Sequence, residues 1–447
     1  MPTLPDAVIG DAYTTDHPAT VLEALVECAP RMAGWSGEHE AAKTLAETFS
    51  AIGCRDVTTE PFEIPGWWRG SSSLSVTSRV RVYEHQHEIL ALPGSPAGTV
   101  SGRLVDVGYG MPADFDDAPL EDNIALVSSA SSPTADRWRH RIEKYGYAVE
   151  AGAAGFVFRN HVGGCLPPTG SINELDGPAA IPGVGVSKEV GAQLERYCAR
   201  EESDATLTVD CETGGAESRN VTGVLGPDTD RELLITAHLD AHDIATGAQD
   251  NGAGCALVAE VGRLLAAVEP HLETRVRLLI FGAEEVGLLG SRHYAETTDL
   301  DSIAGVLNID SAGQSRNLAV ITHGFETIAR AAERTANVLE CPIDVRDEFS
   351  PHSDHWPFVE RGLPGAQLRS VTDDSGRGWG HTHGDTLEKL DMRDVRDIAI
   401  CVTNIAFELT GDADSLEPAS EETIKTGLLE SGEAEGMKAS GEWPFDE

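Results

Sequence analysis

Lysine is scarce in this chain: among 447 residues there are six, Lys43, Lys144, Lys188, Lys389, Lys425 and Lys438. Aromatic residues make up only 6%. No stretch approaches the ~20 consecutive apolar residues that a membrane-spanning helix needs, so no membrane partner is expected. The eight cysteines include no Cys-x-x-Cys pair, which argues against a disulfide framework or a structural zinc knuckle and leaves most of them as small buried hydrophobes. The first twenty residues have neither a basic start nor an apolar run, so no secretory signal is read there and a cytoplasmic protein is expected.

Negative charge is what the chain has in excess. Seventy-four acids face 33 basic residues, giving a formal charge of −41 and a sequence pI near 4.6. Residues 412–447 hold eleven acids and two lysines, a net of −9, so −32 lies elsewhere and the surface as a whole is acidic. Such a field repels nucleic acid and anionic membranes. An acidic surface poor in lysine fits a halophilic intracellular protein; the plainer reading is an ordinary acidic cytosolic enzyme.

A chain this long exceeds what one hydrophobic core serves, and two or three domains are expected. Residues 1–97 open with helical apolar spacing (Val21, Leu22, Leu25, then Ala41, Leu45, Phe49) and continue into short strands. A Pro- and Gly-bearing stretch at 93–98 precedes a second module, 98–210, with a helix expected over 135–153 and no clustered His and acid residues. From 211 to 411, apolar strands alternate with amphipathic helices. The fold class expected is therefore α/β, a mostly parallel mixed sheet with helices on both faces, plus a smaller inserted domain. Residues 412–447, rich in Gly, Ser and Glu, are expected to be disordered.

Polar residues gather just after the strands of the third segment, the rim where open α/β sheets bind ligands. Strand 233–237 delivers His238 and Asp240, separated by one residue; Asp240 has the chemistry of a ligand, but a carboxylate bonded to the far ring nitrogen of a ligating imidazole is the usual arrangement, and Asp240 is expected to take it. The glycines around Asp250 allow a tight turn that presents it to a pocket, although Asp250 also fits a helix N-cap. Glu284 and Glu285 are adjacent carboxylates at the end of strand 276–281, and would repel one another without a cation. Strand 303–309 ends in Asp310. His381 and His383 stand in a loop before the last long helix. Imidazole and carboxylate donors without thiolate suit zinc, with cobalt or manganese as substitutes. A carboxylate shared by two ions would make a two-metal site, which suits amide hydrolysis.

The segments HLDAHDIATGAQDNGAG, FGAEE, NIDSAG, PHSDHWPF and HTHGDT together resemble the co-catalytic zinc peptidases, a family that includes bacterial leucyl aminopeptidases, glutamate carboxypeptidase and carboxypeptidase Q. EKYGYAVEAGAAGFVFRN and AAIPGVGVSKEVGAQL resemble the protease-associated domain inserted in several peptidases. The resemblance implies two zinc ions, with His238 and Asp310 on the first, Glu285 and His381 on the second, Asp250 bridging and Glu284 as general base. His383 and His355 are then candidates for the substrate pocket, His355 as an oxyanion donor because Gly380 stands where some relatives carry Tyr, with a structural role for Ser353, Asp354 and His355 in shaping their loop as the equal alternative. The implied substrate is a peptide and the implied activity an aminopeptidase. A carboxypeptidase Q-like enzyme is the alternative, suggested by the HLD triplet followed by Asp243; glutaminyl cyclase and a receptor-like scaffold come after it. Relatives with such an insertion are often dimers, so a homodimer is kept open.

Overall fold

The computed structural model describes residues 3–77, 80–173, 178–200, 203–372 and 378–445. The chain divides into two compact units, one of Met1–Ile64, Ala216–Gly380 and Asp385–Ser431, the other of Pro65–Gly215, His381–Gly384 and Gly432–Glu447. These limits fall inside the long strands Arg55–Val76 and Asp204–Leu225, at 64/65 and 215/216, where the sequence placed domain boundaries at 97/98 and 210/211. Among the described residues no helix is long and apolar enough to cross a membrane.

The first unit is built on a sheet with strands in the order Ile343–Arg346, Leu318–Ile321, Gly365–Ser370, Ile303–Ile309, Glu232–His238, Arg275–Phe281 and the end of Asp204–Leu225. The central neighbours run parallel, while Leu318–Ile321 pairs antiparallel with Gly365–Ser370 and parallel with Ile343–Arg346, and Asp204–Leu225 pairs antiparallel with Arg275–Phe281. Glu232–His238 is buried at every position, as expected for a central strand covered on both faces. On one face the helices Ala253–Ala267, Met392–Thr410 and His17–Glu27 pack together. On the other, Phe281, Tyr294 and Phe358 form a buried cluster with Leu234 and Val306. Fully burying one such side chain contributes about 1.5–3 kcal/mol. In the parallel register His238 lies beside Phe281, and Thr236 beside Asn308, so the chain leaves all three central strands at one rim.

The second unit carries parallel strands Gly98–Asp106, Ile124–Ser128, Gly155–Arg159 and Gly183–Val186, joined antiparallel by Ile89–Ala91. Its core includes Val127, Tyr145, Phe156 and Phe158. The helix expected over 135–153 is Arg141–Glu150. It starts late because the Glu143 carboxylate accepts the His140 N–H at 2.9 Å, closing a capping box that fixes the first turn there.

The tail expected to be disordered contains two helices. In the first unit, Glu421–Glu430 is capped by Ser420, whose hydroxyl accepts the Thr423 N–H at 3.2 Å, and it buries Ile424 and Leu428. In the second, Glu433–Ser440 lies on Arg141–Glu150, with Arg137 bridging Glu143 at 2.7 Å and Glu433 at 3.1 Å. A few buried apolar residues and an ion-paired acid anchor a segment whose composition alone reads as solvated.

Candidate functional site

His238 ends its strand 1% exposed, and four acidic side chains surround it. Its Nε2 lies 3.3 Å from Asp250 Oδ1, 3.6 Å from Asp310 Oδ1 and 3.9 Å from Glu284 Oε2. The ring's other nitrogen donates to a backbone carbonyl, that of Asp240, at 3.1 Å, which leaves Nε2 as the ring's ligand atom. The Asp240 carboxylate, expected on the ring, stands 3.7 Å from that same nitrogen through Oδ1 and also accepts the backbone N–H groups of Glu284 at 2.9 Å and Glu285 at 3.1 Å. The left-handed Ala283, at φ 56°, turns those amides towards it. Asp240 thus ties the end of one strand to the carboxylate pair that follows its neighbour.

Asp250 is 5% exposed and does not cap the helix that follows, since Ala253–Ala267 begins at Gly252 without a side-chain cap. Its position is fixed through its backbone. Asp385 accepts the Gln249 N–H at 2.7 Å and the Asp250 N–H at 3.1 Å, one on each carboxylate oxygen. Burial pushes the Asp385 carboxyl up to about 6, against the pull of those amides.

Asp310 receives the Ser353 hydroxyl at 2.6 Å, and Ser353 in turn accepts from Asn308 Nδ2 at 2.8 Å. Ser353 therefore serves a ligand candidate, while His355, expected in the substrate pocket, serves the fold. His355 is 0% exposed, its Nε2 is 2.9 Å from the Ser350 carbonyl, and its ring packs 4.7 Å from that of His323. Burial holds both imidazoles below their ordinary value, His323 at about 4.

The electrostatics follow from crowding. Burial lowers the His238 imidazole, but Glu284, Asp240, Asp250 and Asp310 outweigh it and raise the group well above its ordinary value. Burial also raises Glu284, reinforced by Glu285 and Asp310, and pushes Asp354 up to about 7. Such a concentration of buried negative charge favours a cation.

Three residues absent from the sequence reading complete this part of the site. His242, 5% exposed, places Nε2 2.9 Å from Glu285 Oε2. Arg31, 1% exposed, donates to the carbonyls of Leu239 at 3.1 Å, Thr246 at 2.6 Å and Gly247 at 3.0 Å, lashing both ends of the loop that bears His242. Glu38, wholly buried, accepts the Ser218 hydroxyl at 2.5 Å, and burial with the nearby Asp240 charge pushes it up to about 8. Of these, only His242 left a trace in the sequence, as a second imidazole four residues after His238.

His381 and His383 belong to the second unit. His381 is left-handed at φ 58°, with Nδ1 3.3 Å from the Thr169 carbonyl; its own carbonyl accepts the Thr169 N–H at 2.9 Å. Arg141 reaches that ring nitrogen at 3.5 Å and donates to the Ser171 carbonyl at 2.7 Å.

The donors suit a metal ion. One atom each from His238, Asp250 and Asp310 lies within 4.8 Å of the others. Ligand atoms held at about 2.0–2.2 Å by zinc stand roughly 3.3–3.6 Å apart across a tetrahedron, close to the His238 distances to Asp250 and Asp310. The adjacent Cys255 is not competing: its thiol points to the His238 carbonyl at 2.9 Å, and burial pushes it up to about 12.

Residues 220–406 match the family model of peptidase family M28, and residues 100–194 match the PA domain. Aminopeptidase YwaD of Bacillus subtilis is 27% identical over 410 residues, which cover 89% of this chain and 85% of that protein. Mouse carboxypeptidase Q is 24% identical over 416 residues, 88% of this chain and 84% of its own. Among solved structures, a zinc aminopeptidase from Bacillus subtilis superposes with a TM-score of 0.68 at 25% identity, covering 88% of this chain and 94% of that one. A peptidase M28 precursor from Shewanella amazonensis gives 0.74 at 25% identity, with 91% and 95% covered.

Proposed function

From the premise that this chain carries the catalytic domain of peptidase family M28 with an inserted PA domain, we propose that it is a zinc-dependent exopeptidase removing single residues from the amino end of peptides. The observation that carries this is the meeting of Asp250, Asp310 and Glu284 at His238 Nε2. In this reading His238 and Asp310 hold one zinc ion, Glu285 and His381 a second, and Asp250 is shared. His381 is only four residues from Asp385, whose carboxylate carries the Asp250 amide, which supports its assignment to the same centre. When bound, zinc supplies Lewis acidity to the scissile carbonyl and to the attacking water.

The remaining work belongs to the chain's own groups. Glu284 takes a proton from the attacking water and delivers it to the departing amine, a role worth roughly 10²–10⁴ in rate. Its environment suits the second half of that task, because burial among Glu285 and Asp310 raises its affinity for a proton. Asp240 fixes the backbone of Glu284 and Glu285. Ser353 keeps one oxygen of Asp310 occupied so that the other faces His238. The presence of base and ligand candidates together speaks against an inert scaffold. The charge of −41 with six lysines supports work in concentrated salt.

The test is hydrolysis of a peptide panel, blocked at the N-terminus, at the C-terminus or at neither, by zinc-loaded protein in molar salt. Cleavage lost only with N-blocked peptides is the expected result. Loss only with C-blocked peptides would replace the aminopeptidase with a carboxypeptidase Q-like activity.

A further inference from the structure

We propose that His242 is an additional zinc ligand, so that the ion held by Glu285 has a second imidazole from the loop after the strand Glu232–His238. This rests on the two-ion reading above and adds a residue that the resemblance did not supply. The case begins with position. His242 Nε2 and Glu285 Oε2 are 2.9 Å apart, and both side chains are 4% exposed, so the imidazole meets the carboxylate away from bulk water. Roughly 3.3–3.6 Å separates donors that share a tetrahedral zinc ion, and a movement of a few tenths of an ångström brings this pair to that spacing.

The pair is also held in place from both sides. Glu285 is fixed by its N–H on the Asp240 carboxylate at 3.1 Å. The loop bearing His242 is anchored by the Ala241 N–H donating to the Arg31 carbonyl at 3.0 Å, while the Arg31 guanidinium holds Leu239, Thr246 and Gly247. Ligands on a rigid frame cost little ordering on binding, and four anchors on a nine-residue loop are more than a solvated turn needs. The consequence is asymmetry. The ion beside Glu285 gains a neutral nitrogen donor, whereas the ion beside His238 relies on its own imidazole, Asp310 and the shared Asp250. The two ions then differ in affinity, and the one beside Glu285 loads first.

Three proteins decide the matter: the full chain, His242→Gln and, as a control for the other ion, His238→Gln. A glutamine amide still donates to the Glu285 carboxylate but is a poor zinc ligand, so it separates ligation from mere positioning. Zinc stoichiometry, competition with a chelator and the visible d–d spectrum of the cobalt-loaded protein are read together. The wild type is expected to bind two ions. His242→Gln is expected to lose at least 10-fold in the affinity of the tighter ion, with an altered cobalt band, and to keep the weaker one. His238→Gln should show the opposite pattern. Wild-type affinity and an unchanged cobalt spectrum in His242→Gln would overturn the inference and leave the two-ion reading standing. Uptake of fewer than two ions by the wild type would overturn both.

Discussion

Replacing Arg31 by methionine tests how the site is supported, because this side chain touches no candidate ligand yet secures the loop between two of them. Its guanidinium donates to four carbonyls, of Leu25 and Leu239 at 3.1 Å, Thr246 at 2.6 Å and Gly247 at 3.0 Å. Methionine keeps much of the aliphatic volume and removes every donor. A buried acceptor left without a partner costs about 1–3 kcal/mol, so four of them set an upper bound near 12 kcal/mol. Water entering the vacated space relieves much of that, and a net loss on the order of 4 kcal/mol is expected. That is a large share of the ~5–15 kcal/mol by which domains are stable. Arg31→Lys, with three donors on one nitrogen, should fall between. Amide exchange over residues 239–247 and urea denaturation measure the effect, and zinc affinity should drop in parallel. A variant within about 1 kcal/mol of wild type, with unchanged protection of that loop, would refute the reasoning.

Other perturbations have equally definite outcomes. Ser353→Ala removes the hydroxyl on Asp310 and should weaken zinc binding about 10–100-fold with the fold intact, as equilibrium competition with a chelator would show. Lys144 is buried, donates to the Ser128 and Ala130 carbonyls at 2.9 and 2.8 Å, and is lowered by burial from 10.5 to about 7. The unfolded chain therefore binds this proton between pH 7 and 10.5 where the folded one does not. Stability of the wild type should rise with pH across that window relative to Lys144→Met, by an amount on the order of 5 kcal/mol, as pH-dependent urea midpoints would report. The acidic surface predicts a melting temperature that climbs as potassium chloride is raised from about 0.1 M into the molar range; a flat or falling curve would remove the halophilic reading.

Much of this site was legible in the sequence because strand ends are legible. Continuous apolar runs locate buried parallel strands, and the polar residues just beyond them, His238, Glu284, Glu285 and Asp310, must emerge at the same rim once the strands align. What lay outside that logic was set by tertiary contact. The Asp240 carboxylate went to two amides because the left-handed Ala283 presents them, a turn that residue identity does not announce. His242 acquires its partner from another loop, and Arg31 reaches across 208 residues to Leu239. His355 sat in a suggestive motif but is packed against His323, which no local pattern could convey. The tail was misread for a related reason. Its helix Glu421–Glu430 buries only Ile424 and Leu428, a stripe too narrow for periodicity to register against so many acids.

The most direct test of the account is Glu284→Gln, prepared beside wild type, with zinc content and hydrolysis of an unblocked peptide measured on the same samples. The substitution removes one proton carrier while leaving His238, Asp250, Glu285, Asp310 and His381 in place. Full zinc content with a fall in kcat of about 10²–10⁴ is the predicted result. A zinc-loaded Glu284→Gln protein that cleaves at the wild-type rate would contradict it.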